Sequence, residues 1–148
     1  MNRVDELISK FAQILKSSVN ELGRDKFRRY FEFKPDFLGA GQTIIMTAME
    51  RPSGTIDFEF MFRIGQITST DCLLDLLKMN LRGIYGLYYA AIEDSEDPPG
   101  YFLWLVYPYI VPETTSTQIA AEIFRGNLIA LMMPTKWPQG VYIWSEKE

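Results

Sequence analysis

The chain has 148 residues and a formal net charge of -4, with 15 Lys+Arg against 19 Asp+Glu, 47% hydrophobic residues and no histidine. This composition describes one globular domain spanning residues 1–148, and the missing histidine removes the usual general base, the commonest zinc ligand and every Ser-His or Cys-His nucleophile pair. The acidic balance disfavours a phosphate backbone as partner, and no apolar run approaches the roughly 20 residues of a membrane-spanning helix.

Val4, Leu7, Ile8, Phe11, Ile14, Leu15, Val19 and Leu22 recur at helical spacing, which predicts an amphipathic helix capped by Asn2 and stopped at Gly23. Two acids in Met1-Asn2-Arg3-Val4-Asp5-Glu6 stand where a signal peptide carries base, so no targeting signal is expected. Arg24 to Phe33 reads as an edge strand before Pro35. Thr43–Glu50 and Thr55–Arg63 flank Arg51-Pro52-Ser53-Gly54, the punctuation of a hairpin turn. Ile56, Phe58, Phe60 and Phe62 alternate with mostly polar residues, so one face of that strand is apolar and the other wet.

Thr68 and Asp71 resemble a capping box opening a short helix with Cys72, Leu73, Leu76, Leu77 and Met79 on its apolar side, ending before Gly83. Ile84–Glu93 and Tyr101–Tyr109 predict a second hairpin, apolar on both faces: Tyr101, Leu103, Leu105 and Tyr107 point one way, Phe102, Trp104 and Val106 the other. Both of those faces must be covered by something. Thr115 and Gln118 form a further capping box for a helix through Ile119, Ile123, Phe124, Leu128, Leu131 and Met132, stopped by Pro134. A last strand is expected over Val141–Trp144. Helices separated by hairpins predict an α+β domain: a twisted antiparallel β-sheet with three helices packed on it.

Four constellations invite a chemical reading. Cys72, beside leucines and without a histidine, reads as a buried structural thiol. Asp57 and Glu59 share one side of a strand as an acid/base pair would, but a solvated face is the expected use. Glu93, Asp94, Glu96 and Asp97 lack the alternating ligands and central glycine of a calcium loop and read as a solvated turn. Arg24, Lys26, Arg28 and Arg29 among Phe27, Tyr30 and Phe31 have the interleaving of a single-strand binder. In an acidic chain, pairing with acids on a partner or a second subunit is the better use of those arginines. No catalytic residue, metal or cofactor is expected, and a single cysteine fits a reducing cytoplasm.

The element order, with Leu73-Leu74-Asp75-Leu76-Leu77-Lys78-Met79-Asn80 leading through Gly83 into the hairpin, resembles the type III secretion chaperone fold and, equally, the YbjN-like proteins. The resemblance covers Val4 to about Met133. It implies a homodimer that binds extended segments of partner proteins along apolar grooves without ATP or catalysis. The three tryptophans, Pro108 within a strand and the segment Val141–Trp144 depart from that pattern.

The function expected is therefore a non-catalytic, chaperone-like protein-binding module, cytoplasmic and homodimeric, with neither nucleic acid nor membrane as partner. The partner surface is expected at Leu87, Tyr89, Leu103, Leu105 and Tyr107, with Leu7, Phe11 and Leu15 shared between core and groove. The alternative is a small-molecule-binding or enzymatic domain with an aromatic pocket under the sheet.

Overall fold

A computed structural model describes residues 2–35, 43–80, 88–93, 100–131 and 137–143. Asn2 accepts the Asp5 backbone N–H and opens helix α1, Arg3–Leu15, whose buried stripe is Val4, Leu7, Ile8, Phe11 and Leu15. The helix stops earlier than its apolar spacing predicts. Lys16 turns left-handed at φ 51, closing the end on the carbonyls of Ala12 and Gln13. Ser17, Ser18 and β-branched Val19 then leave the helix, as their weak helical preference favours. Val19 and Leu22 belong instead to strand β1, Val19–Arg24, and both are exposed.

Strands β2 (Arg29–Phe33), β3 (Ile44–Glu50) and β4 (Ile56–Ile67) follow, then a single 3-10 turn at Thr70–Cys72 and helix α2, Leu73–Asn80. Strands β5 (Tyr88–Glu93) and β6 (Tyr101–Val111), helix α3 (Thr117–Leu131) and strand β7 (Val141–Ile143) complete the described elements. The expected strand residues 84–87 and 144 lie outside the described residues. The seven described strands form one antiparallel sheet in the order β1-β2-β3-β4-β6-β5, with β7 also on β4. The class is α+β, as the hairpin pattern predicts. Strand β3 pairs with β4 from Ile56 to Phe62, and β7 takes Gly65 to Ile67 beyond a bulge.

Two capping positions shift by one residue. Ser69, not Thr68, accepts the Asp71 amide, because Thr68 is bonded to the Gly140 carbonyl. Ser116, not Thr115, accepts the Ile119 amide at the start of α3. Pro108 stands within β6 opposite Glu59 of β4, two residues past the last described β5 pair, Tyr88 with Val106.

The cross-strand rows place the core. Phe31, Met46, Phe60 and Tyr107 form one row; Phe33, Ile44, Phe62, Leu105 and Tyr89 form the next. Helices α1 and α3 lie on the face these rows share, and α2 covers the end of the same face through Cys72 and Leu76 against Ile67 and Leu103. Phe11 sits at the centre, with ring centroids 4.4 Å from Phe124, 5.0 Å from Phe58 and 5.5 Å from Phe60. Asn127, a buried polar side chain of α3, donates to the Tyr107 hydroxyl, and the Tyr109 hydroxyl donates to the Ala120 carbonyl at 2.7 Å. Both polar tips that reach under α3 are thereby satisfied.

Arg3 ties the ends together. Its guanidinium donates to the Gly54 carbonyl at 2.8 Å and to the carbonyls of Pro112 and Thr115. Gly54 ends the β3–β4 turn at φ +94, where a Cβ would also press on Glu113 at 3.1 Å. A glycine meets both demands at once. At the other edge, the Asn80 side chain accepts the Tyr89 amide and donates to the Tyr89 carbonyl, so the end of α2 stands beside β5 as a strand would.

The β1–β2 hairpin is held by charge. Glu21 bonds both Arg24 and Arg29, and Arg29 also reaches Asp5 of α1 at 2.9 Å. Arg29, then Arg24, hold the Glu21 carboxyl down from 4.5 to about 2. A carboxylate depressed in the folded state contributes stability above its unfolded pKa and loses it as pH falls through the folded value. Glu21→Gln is therefore expected to flatten the acid limb between pH 4.5 and about 2 and to leave its slope near neutrality unchanged, as urea melts at stepped pH will record. An equally steep acid limb in the variant would refute the assignment.

Candidate partner-binding surface

A strand turns alternate side chains to opposite faces, so the packing of all three helices on one face defines what stands on the other. There, Glu32, Ile45, Met61, Val106 and Tyr88 form one row, Met49, Asp57 and Ile110 another, and Arg63, Trp104 and Ala90 a third. Among the described residues no helix covers this face. Ile110 is 59% exposed and Tyr88 40%; Met61 and Trp104 are half-buried. Val106, between Met61 and Tyr88 in its row, is buried. Arg63 stacks its guanidinium over the Phe102 ring at 4.6 Å, which shields that aromatic.

Polar groups on this face are not all satisfied. Arg51 donates to Oδ2 of Asp57 at 2.8 Å, while Oδ1 is buried without a hydrogen-bond partner. The Trp104 indole N–H is likewise buried and unpartnered. These two buried side-chain atoms both belong to the bare face. Buried polar atoms are nearly always bonded, so two exceptions on one face need a cause.

The residues expected to form the partner surface are placed elsewhere. Leu103, Leu105 and Tyr107 turn inward under the helices; Leu7, Phe11 and Leu15 share a core cluster with Leu105 and Tyr107, while Leu103 packs with Cys72 and Leu76. In this chain all six are buried in its own core. The physical reason is that α1 and α3 both pack on the Tyr107 side of β6, which answers the two-faced hairpin on that side only. Tyr89 is half-buried and meets the Trp137 ring at 5.2 Å; Leu87 lies outside the described residues. Among the described residues, the side without helices is the one carrying Tyr88, Trp104 and Ile110. Alternation in the sequence separates the two sets, but only helix placement says which is covered.

The other constellations resolve simply. Cys72 is buried, its thiol donates to the Ser69 carbonyl at 3.1 Å, and burial pushes its pKa up, which opposes a nucleophilic role. Asp57 is occupied by Arg51 and so is not poised beside Glu59 as an acid/base pair. Glu93 is exposed at the end of β5, and residues 94, 96 and 97 lie outside the described residues. Arg24 and Arg29 are consumed by Glu21 and Asp5, leaving Lys26 and Arg28 at the hairpin tip. No described helix is long and apolar enough to cross a membrane. Comparison with protein-family models, curated proteins and solved structures finds no match for this chain.

Proposed function

We propose that this chain is a non-catalytic protein-binding module, secretion-chaperone-like, cytoplasmic and homodimeric, which engages another protein or an extended peptide across the bare face of its sheet. One observation carries the reading: the face that no described helix covers holds partly exposed Tyr88, Trp104 and Ile110. A partly exposed aromatic and aliphatic patch on a sheet face without helices is suited to a partner that brings side chains to cover it. Tyrosine and tryptophan are the residues on which such contacts concentrate their energy.

The test uses the tagged protein as bait in an extract of its own cells, beside the double variant Tyr88→Lys/Ile110→Lys. Both positions are exposed, so the variant is expected to melt within a few degrees of the parent while losing about tenfold or more of the retained partner. Equal retention by parent and variant would remove the bare face from the reading. A parent that retains no protein but melts higher with one metabolite would instead favour a pocket for a small molecule.

A further inference from the structure

Charge is unevenly spread along this acidic chain. Residues 1–34 carry 8 Lys+Arg and 5 Asp+Glu, whereas the remainder carries 7 and 14. Two exposed patches express the division. At the β1–β2 tip Phe27 is 68% exposed, with the Lys26 ammonium 5.4 Å from its ring centroid and Leu22 also exposed nearby. The tip acids are spent: Glu21 on Arg24 and Arg29, and Asp25 on the amides of Phe27 and Arg28 and the Tyr30 hydroxyl. Among the described residues Lys26 and Arg28 make no ion pair. The outer side of α2 has the opposite character. Leu74 and Leu77, one turn apart, are 63% and 62% exposed. Asp71, Asp75 and Lys78 beside them are exposed and make no ion pair among the described residues, so two acids stand against one base and the side is net acidic.

These patches match in kind, apolar with cations against apolar with anions, but they cannot meet within one chain. The tip belongs to edge strand β1, whereas α2 is bonded to β5 at the other edge. Five inter-strand spacings separate the two edges by roughly 24 Å. An antiparallel pair of chains resolves this, since a two-fold axis brings each basic end to the other copy's acidic end and forms both contacts together. We infer that two copies of this chain pair reciprocally, the β1–β2 tip of each seated on the Leu74/Leu77 side of α2 in the other. The inference rests on the homodimeric part of the function proposed above and gives that dimer its contact.

Sedimentation velocity in low salt tests it, on the parent, on Lys26→Glu/Arg28→Glu, on Asp71→Lys/Asp75→Lys, and on an equal mixture of the two variants. The parent is expected to be a dimer that weakens in high salt, as exposed charge pairs do. Each variant alone presents like charges at both contacts and is expected to dimerise at least about tenfold more weakly. The mixture restores opposite charge at both contacts of a heterodimer, and its dimer is expected to return. Should lysines in the first turn of α2 lower its melting temperature sharply, Leu74→Gln/Leu77→Gln replaces that variant and must weaken the dimer too. A monomeric parent would overturn both this contact and the homodimer. A dimeric parent with equally dimeric variants would overturn the contact and leave a homodimer built elsewhere. Monomeric variants whose mixture stays monomeric would overturn the pairing of tip with α2.

Discussion

Phe11→Ala is expected to cost about 3–5 kcal/mol and to lower the melting temperature by on the order of 10 °C. Phe11 is fully buried and meets Phe58, Phe60 and Phe124 with its ring, two of them edge-on. Removing it deletes the transfer energy of a whole ring and opens a cavity between α1, α3 and the sheet that those neighbours cannot close without leaving their rotamers. Edge-to-face geometry adds a contribution beyond area alone. Phe27→Ala, at the exposed hairpin tip, provides the comparison and is expected to change stability by no more than about 0.5 kcal/mol. Thermal melts of the two proteins side by side decide the point. Similar losses at both positions would show that α1 is not the lid of this core.

Strand β6 supplies the second large contrast. Tyr107 is 1% exposed, stacked at 5.8 Å on both Phe60 and Tyr109, and its hydroxyl accepts from Asn127. Tyr107→Glu puts a carboxylate where water does not reach, among the rings of Phe60, Tyr109 and Phe124. A buried charge without a partner costs several kcal/mol, against a total stability of about 5–15 kcal/mol for a domain. The variant is expected to be largely unfolded and to lose its near-ultraviolet circular dichroism. Ile110→Lys, three residues along on the bare face and opposite Asp57, is expected to remain folded with little change. If Tyr107→Glu stays soluble and cooperative while Ile110→Lys unfolds, the assignment of the two faces is reversed.

These contrasts mark how far the sequence speaks. The alternation of Ile56, Phe58, Phe60 and Phe62 reads directly as a core row, because one wet and one dry face impose a period of two. In β6 both sets of alternate residues are apolar, so periodicity no longer ranks them, and only the common placement of α1 and α3 separates Tyr107 from Trp104. The end of α1 illustrates a different loss. Val19 and Leu22 continue the helical spacing by coincidence, and the Ser17-Ser18 step with the left-handed Lys16 overrides it. The bare face and the matched patches of β1–β2 and α2 depend on strand order, which comes from contacts distant in sequence and has no local signature.

Distance along the chain also bears on how the protein is made. Arg3 bonds carbonyls 51, 109 and 112 residues further on, and Phe11 rests on Phe124. Synthesis proceeds from the amino end at about 5–20 residues per second, so α1 leaves the ribosome seconds before its cover exists. Its apolar stripe of Val4, Leu7, Ile8, Phe11 and Leu15 then waits in water until the chain through α3 has emerged. Native closure is thus a late event in this protein's biogenesis, and α1, translated before the segments that cover it, is among the last elements to find its final contacts.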